Sequence, residues 1–563
     1  MKTAVRAGLL SLLLLSFGLG FGLNYGTSNQ SVYLLESLKA LHPTIWTRDW
    51  AVTQNHAYHP AYARLGELLL RLSPTGYAIG AANVVCIALG MLAIFAVLRR
   101  LAPPERALPA LCIVLLLGSV TRTQAAGGTY AFSEIFQPST LGSLGFIVAA
   151  LAFVAGRPLL SGLGLAFGGL FHVNYLVLGL AVFGVAWLCT GRERLVSRAL
   201  AGLGPPLLVL VYFLPFLLAS ANPAVSAEAH RIYLDVRSPH HYRPILFAWD
   251  FSFFAGFQLL GVAALIGPAR RGLAVQRRVL FLLIGTWVLV IPAALLSSVV
   301  VVRFVQQLFA WRICPQADLL AQAAFAAGLV SVFCDGQNAL ASFGSTERRL
   351  GGLGVAALVL GSLVTGRWNA TLVVLCLLLA AFIIASGLLR KGVVPGQGVL
   401  SIDAVTAALL VALVAANVWR FLHLVRSSNL LSGVDRGVAE LCAWEDSHTS
   451  EDALFLTPPQ EDELRFRCQR AIVVDWKSNP AVPSEVLEWY TRIQDVTGRR
   501  PFLREPDLEG YRTLDAARVA RIQARYGIDY VVVERGHEIT ELGAPVFSGL
   551  RFAAYALPAR PVK

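Results

Sequence analysis

Long apolar runs, separated by short polar breaks, fill the first four-fifths of the chain. A spanning helix needs about 20 mostly apolar residues. Such runs occur at 5–23, 77–98, 107–120, 139–156, 158–171, 175–190, 199–219, 251–269, 279–298, 317–334, 351–366, 370–389 and 400–419. They predict a transmembrane bundle of about 13 spans. The 158–190 stretch is too long for one span and short for two, and its polar interruption His172-Val173-Asn174 splits it. The first run follows Lys2 and Arg6 without a small-x-small cleavage site after it. It is expected to be a retained helix with a cytoplasmic N-terminus.

Charge in the breaks supports that parity. The even-numbered breaks are short and basic: Arg99, Arg100 and Arg106; Arg157; Arg192, Arg194 and Arg198; Arg270, Arg271, Arg277 and Arg278; Arg348 and Arg349; Arg390 and Lys391. Of the others, 172–174 and 367–369 are short turns, while 24–76, 121–138, 220–250 and 299–316 are longer and mixed. Positive loops face the cytoplasm, so the long segments and the C-terminus are expected outside. In the first of them Leu65, Leu68, Leu69 and Leu72 form one face, with Arg64, Glu67 and Arg71 opposite, which predicts an amphipathic interfacial helix.

After residue 426 the pattern changes. Short apolar runs at 453–456, 471–474 and 530–533 read as buried strands, alternating with helical stretches at 434–447, 484–497 and 515–526. The expected division is a transmembrane domain, 1–426, and an extracytoplasmic α/β domain, 427–563, with parallel strands. Ligands in such sheets sit beyond the carboxyl ends of strands, here Thr457-Pro458-Pro459, Asp475-Trp476-Lys477 and Glu534-Arg535. No GxGxxG or Walker loop is present, which argues against a nucleotide site.

Composition agrees. The 563 residues are 56% hydrophobic and 14% charged, against about 25% charged in soluble domains. Residues 427–563 hold 17 basic and 21 acidic side chains, so the overall net charge of +13 belongs to the membrane part. There it sets topology, and nucleic acid is not an expected partner. No Cys/His metal spacing appears among the eight Cys. Cys442 and Cys468 share the C-terminal domain; two buried thiols are the slightly preferred reading, with a disulfide the alternative if the domain is extracytoplasmic.

Two acids stand among aromatic residues near a membrane surface: Asp49 in Trp46-Thr47-Arg48-Asp49-Trp50 and Glu134 in Tyr130-Ala131-Phe132-Ser133-Glu134-Ile135-Phe136. Partial desolvation there raises proton affinity and suits general-base work. The alternatives are an ion pair with Arg48 or a helix cap for Asp49, and a helix cap for Glu134. Arg231, Arg237, His240, His241 and Arg243 cluster in one long break, Arg303 and Arg312 in another. The guanidinium fork matches phosphate oxygens, so these residues are candidates for a lipid phosphate, whether for chemistry or for headgroup binding alone. Arg303 and Arg312 can serve one phosphate only if the helix between them breaks. His172 and Asn174 interrupt an apolar run, as functional polar groups or as a turn. His56 and His59 have ligand-like spacing, but Pro60 interrupts the helix that would align them, so no metal site is expected. His56 is instead grouped with the substrate-contacting candidates.

The layout resembles the GT-C superfamily of membrane glycosyltransferases, which use polyprenyl-phosphate sugars. The resemblance rests on the span count, the long first outer segment with an interfacial helix and Asp49, the second outer acid Glu134, and the C-terminal domain. It implies an inverting transfer to a glycan, lipid or protein acceptor at the outer face of a bacterial cytoplasmic membrane. By it, Asp49 matches the usual catalytic acid of the first outer segment and Glu134 the second acid of some members; on that reading Arg243, Arg303 and Arg312 are the candidates to hold the phosphate, and Trp46, Trp50 and Tyr130 to stack on sugar. The first outer segment lacks the paired acids (DD, DE or DxD) that mark metal-dependent members; a divalent metal is compatible with the family but not indicated. The stretch around 455–492, with Phe455-Leu456-Thr457-Pro458-Pro459 and Glu488-Trp489-Tyr490, is also similar to a domain of unknown function in bacterial multi-pass proteins. The alternatives are a transporter or scaffold for envelope polysaccharide without bond chemistry, and a polysaccharide polymerase or ligase.

Overall fold

A computed structural model describes residues 2–54, 59–121, 124–190, 195–218, 223–300, 302–335, 344–365, 402–426, 435–498 and 508–558. It is a mainly helical, multi-pass membrane protein carrying a small sheet domain at its C-terminal end. Five described helices are long and apolar enough to cross a bilayer: Tyr77–Leu101, Leu195–Pro215, Asp250–Arg270, Ala274–Val300 and Val305–Cys334. Other expected spans form helices at Lys2–Leu19, Pro104–Thr121, Pro138–Val154, Pro158–Phe171, Val173–Cys189, Ser345–Thr365 and Ile402–Arg426. The 370–389 run lies outside the described residues.

The break at His172 follows from the polar interruption. The preceding helix ends at Phe171 and the next begins at Val173, with an extended His172 (φ −153°, ψ 102°) between them. The two helices before that break meet through glycines. A Cβ on Gly145 would lie 2.6 Å from the Gly168 Cα, so only hydrogen lets the backbones approach this closely. Gly256 likewise packs against Leu358 of Ser345–Thr365, and Gly261 against Ala321.

The first long break folds into helices Leu35–Leu41 and Pro60–Leu72. The second buries Tyr62, Gly66 and Leu70, while Leu68 and Leu72 stay exposed. The expected leucine face is thus divided between packing on Leu35–Leu41 and the surface. Glu67 pairs with Arg64 at 3.1 Å and Arg71 at 2.7 Å on the polar side. A short hairpin joins β1 (Gln124–Ala125) to β2 (Thr129–Tyr130).

The C-terminal domain begins at Arg436–His448, whose N-cap Asp435 accepts from Gly437 N and Val438 N. Its sheet contains β3 (Leu454–Leu456), β4 (Ala471–Ile472), β5 (Tyr530–Glu534), β6 (Phe547–Ser548) and β7 (Phe552–Ala556), in the order β4-β3-β5-β7-β6. The three runs read as strands are β3, β4 and β5, and they pair in parallel. β7 and β6 extend the sheet antiparallel, which the expected all-parallel layer lacked. Helices Pro483–Thr497 and Ala516–Tyr526 pack Trp489, Ile493, Val519 and Ile522 against it. Cys442 and Cys468 form a disulfide, correcting the preferred reading of two thiols. The helix Leu464–Cys468 lies on Arg436–His448 and brings the two Cα atoms to 4.4 Å.

Candidate functional site

A polar space lies where the long breaks and the C-terminal domain meet. It is a cavity of ≈150 Å³. The first break supplies Asn29 and Tyr33, and the hairpin segment supplies Tyr130 and Gln137. The third break supplies Tyr233, Arg237, His241 and Tyr242. Phe309 and Arg312 enter from the fourth, and Lys477 and Asn479 from the C-terminal domain.

Arg312 reaches the cavity because its helix breaks. Arg303–Leu308 ends at Phe309, which adopts a left-handed conformation (φ 48°, ψ 50°), and a 3-10 turn, Ala310–Ile313, follows before Cys314–Asp335. A positive φ on a bulky residue is costly and marks a constrained site. Here the reversal lays the Arg312 guanidinium over the Phe309 ring, 4.4 Å from its centroid. The Arg312 Nη1 is 3.0 Å from His172 Nε2. Arginine only donates, so Nε2 accepts and the imidazole proton sits on Nδ1. Among the described residues, that buried Nδ1 and the Arg312 Nε both lack a hydrogen-bond partner.

Other imidazoles contribute no charge. Burial, then the Arg312 charge, bring His59 down to about 3. Burial, then His240, bring His241 down to about 3. The His241 Nδ1 lies 2.7 Å from Gly127 O and must donate to it. The His59 and His172 rings are 5.1 Å apart. The permanent charges on the wall are therefore Arg237, Arg312 and Lys477, and no carboxylate lines the cavity among the described residues. Phenols complete the wall. Gln137 Nε2 donates to Tyr130 Oη at 2.7 Å, while Asn29 Nδ2 fixes the Gln137 oxygen at 3.1 Å. Burial raises Tyr33 to about 12, so it stays a neutral donor.

The residues expected from sequence divide clearly. Arg312 and Tyr130 line the cavity, and His172 holds Arg312. Arg243 stands aside, paired with Asp235 at 3.0 Å. Trp50 is buried against the C-terminal domain with the Arg492 guanidinium 4.8 Å over its ring, so it is not offered to a sugar. Glu134 is exposed on a bend whose peptide oxygen accepts from Asn24 at 2.8 Å, and it is not among the cavity-lining residues. His56 and the Arg303 side chain lie outside the described residues. Tyr33, Tyr175, Tyr233 and Tyr242 were not singled out; Tyr175 opens an apolar run and the other three lie in the long breaks, a weak signal in a chain with 15 Tyr.

Asp49 is placed contrary to its expected role as a base. It is fully buried and sits in the joint between the first break and the C-terminal domain. Its Oδ2 accepts from Arg465 Nε at 2.8 Å and Ile472 N at 2.9 Å, and its Oδ1 accepts from Ala51 N at 2.9 Å, capping Trp50–Thr53. Arg465 also pairs with Asp475. Arg48 turns away to Asp529 at 2.6 Å. All three donors are protein groups, and two of them, Arg465 and Ile472, belong to the C-terminal domain. Around it, Trp46 Nε1 donates to Arg465 O at 3.2 Å and Phe466 packs edge-on against Tyr25. Among the described residues no three His, Cys, Asp or Glu side chains group as metal ligands.

Comparison with known proteins adds three likenesses. A family model described as a domain of unknown function (DUF6798) matches residues 436–496, part of the sheet domain. Among solved structures, ArnT from Cupriavidus metallidurans, bound to undecaprenyl phosphate, is 14% identical over 100% of this chain and 99% of that one, with a TM-score of 0.47. The Archaeoglobus fulgidus oligosaccharyltransferase, tethered with an acceptor peptide, is 12% identical over 93% of this chain and 68% of that one, with a TM-score of 0.45. No curated protein matches the chain.

Proposed function

We propose that the protein is a GT-C-type membrane glycosyltransferase that takes a polyprenyl-phosphate-linked sugar in the Arg312 cavity. One observation carries this reading: a half-buried wall of permanent cations and phenolic donors with no carboxylate among the described residues, the arrangement a phosphate needs and a neutral ligand does not. At ~30 Å³ per water in the liquid, the ≈150 Å³ cavity has room for about five waters, enough for a phosphate group. The acceptor hydroxyl attacks the anomeric carbon, the bond from that carbon to the phosphate oxygen breaks, and its electron pair leaves with the phosphate. Arg312 and Arg237 face that growing charge and stabilise it more than the ground state. The neutral His172 keeps the Arg312 guanidinium aimed. The acceptor proton passes to solvent, since Glu134, the acid expected as base, is exposed and not among the cavity-lining residues. The sheet domain would face the periplasmic side of a bacterial cytoplasmic membrane, a reading supported by the Cys442–Cys468 disulfide, since such bonds persist in oxidising compartments.

A second reading is favoured by the same lack of a carboxylate at the cavity wall among the described residues: a scaffold or transporter that holds a lipid phosphate without bond chemistry. The test is binding of a fluorescent short-chain polyprenyl phosphate to protein in detergent, followed by turnover of the corresponding phospho-sugars. Saturable binding weakened at least roughly tenfold by Arg312→Met is expected, the loss of a charge-assisted hydrogen bond. Binding that Arg312→Met leaves unchanged overturns the reading of the cavity. Binding without transfer to any hydroxyl acceptor selects the scaffold.

A further inference from the structure

The structure assigns the C-terminal domain a direct part in holding the phosphate: Lys477 is an anion ligand of the cavity, and the Asp49–Arg465–Asp475 chain is the device that positions it. This rests on the phosphate reading above and extends it to a domain matched in part by a family model of unknown function.

Lys477 and Asn479 are the two residues this domain contributes to the cavity wall. Both lie in the turn that follows β4, beyond the carboxyl ends of the parallel strands, where open α/β sheets present ligands. Asp475 builds that turn. Its Oδ1 accepts from Lys477 N at 2.8 Å and Ser478 N at 2.6 Å, so the backbone is fixed on either side of the Lys477 Cα. Its Oδ2 pairs with Arg465 Nη1, which also donates to Ser478 Oγ at 2.6 Å. Arg465 Nε then reaches Asp49 in the first break. Asp49 also accepts the Ile472 N–H of β4, so the strand and its turn are both referred to the membrane part. All three charged groups are buried. Trp476 adds a second tether, lying under the Arg237 guanidinium at 5.4 Å.

An ammonium held this way is poised for exchange. Lys477 Nζ pairs with Asp462 Oδ2 at 2.8 Å, and both side chains are about one-quarter exposed. A lysine ammonium has three donors and one carboxylate does not use them all. An incoming phosphate would compete with Asp462 for this charge, so Asp462 lowers affinity while keeping Lys477 near the cavity. The domain therefore contacts the leaving-group side of the reaction, whatever it does for the acceptor.

The pair gives variants of opposite sign, read as the Kd of a short-chain polyprenyl phosphate with full-length protein in detergent. Lys477→Met is expected to weaken binding roughly tenfold, the loss of one charge-assisted hydrogen bond. Asp462→Asn is expected to tighten it, and the Asp462→Asn/Lys477→Met double variant to match Lys477→Met alone. Glu451→Gln, an exposed acid of the same domain, is the control for net charge and should leave Kd unchanged. A purely structural role for Lys477 would not make binding tighter when its partner is removed. Unaltered binding by Lys477→Met, with Arg312→Met still defective, overturns this inference and leaves the cavity reading standing. If Arg312→Met also binds normally, the cavity reading itself has failed. Equal tightening by Asp462→Asn and Glu451→Gln would reduce the effect to long-range charge and overturn the exchange.

Discussion

Replacing Asp49 by Asn separates a structural acid from a catalytic one. The substitution keeps the shape and removes the charge. Asp49 accepts three hydrogen bonds on two oxygens, from Arg465 Nε, Ile472 N and Ala51 N. An Asn amide offers one oxygen, so its NH2 must face a donor in either orientation. Arg465 would keep Asp475 as its only carboxylate, in a place from which water is excluded. Removing one partner of a buried ion pair costs about 3–5 kcal/mol, and the retained oxygen puts Asn at the lower end, ~3 kcal/mol. For a domain of this size that lowers the unfolding transition by on the order of 10 °C. The measurement is thermal unfolding of the detergent-solubilised protein by tryptophan fluorescence, with polyprenyl phosphate binding read well below the transition. The expected result is a lower transition, with binding weakened no further than in Lys477→Met. Asp475→Asn should lower the transition in the same direction. An Asp49→Asn protein that melts like wild type but has lost all transfer would refute the anchor and restore the base.

Three further outcomes follow from the packing. Burial, opposed by Arg470, pushes Glu445 up from 4.5 to about 8. The folded domain thus holds a proton that the unfolded chain releases, and stability is greatest below pH ~4.5 and falls as pH rises through ~8. The full loss is at most about 5 kcal/mol at 1.36 kcal/mol per pKa unit, and Glu445→Gln should flatten the difference between melting curves at pH 5 and pH 9. Replacing Cys442 and Cys468 by Ser opens a loop with a sequence separation of 26 and should cost about 3–4 kcal/mol in denaturant unfolding; free thiols in protein isolated from an oxidising compartment would refute the bond. Gly145→Val places a side chain against the Gly168 backbone and should destabilise by at least about 1–3 kcal/mol, read as lowered yield of folded protein, whereas Gly184→Ala, with open space around it, should not.

The apolar pattern by itself determined where the helices run, because each membrane segment must satisfy its own backbone hydrogen bonds and keep apolar side chains towards lipid. Hence Lys2–Leu19 through Ile402–Arg426 were legible, and the interruption at His172 marked a real helix boundary. It also determined β3, β4 and β5, whose continuous apolar runs are buried on both faces. β6 and β7 escaped because Phe547–Ser548 is two residues long and Phe552–Ala556 reads as Ala-rich, and their pairing is a contact with β5 rather than a local preference. The basic cluster could be seen as phosphate-binding chemistry, but not which members serve it. Arg312 joins the cavity through the left-handed turn at Phe309, which the surrounding packing imposes on a residue that does not favour it. Arg243 leaves it for Asp235, its partner eight positions back in the same break. Asp49 was legible as an acid with a role, and its alternative as a helix cap was in view. What made it an anchor is Arg465, 416 residues further along the chain. Electrostatics acts through space, and only the tertiary structure decides which distant charge a carboxylate meets.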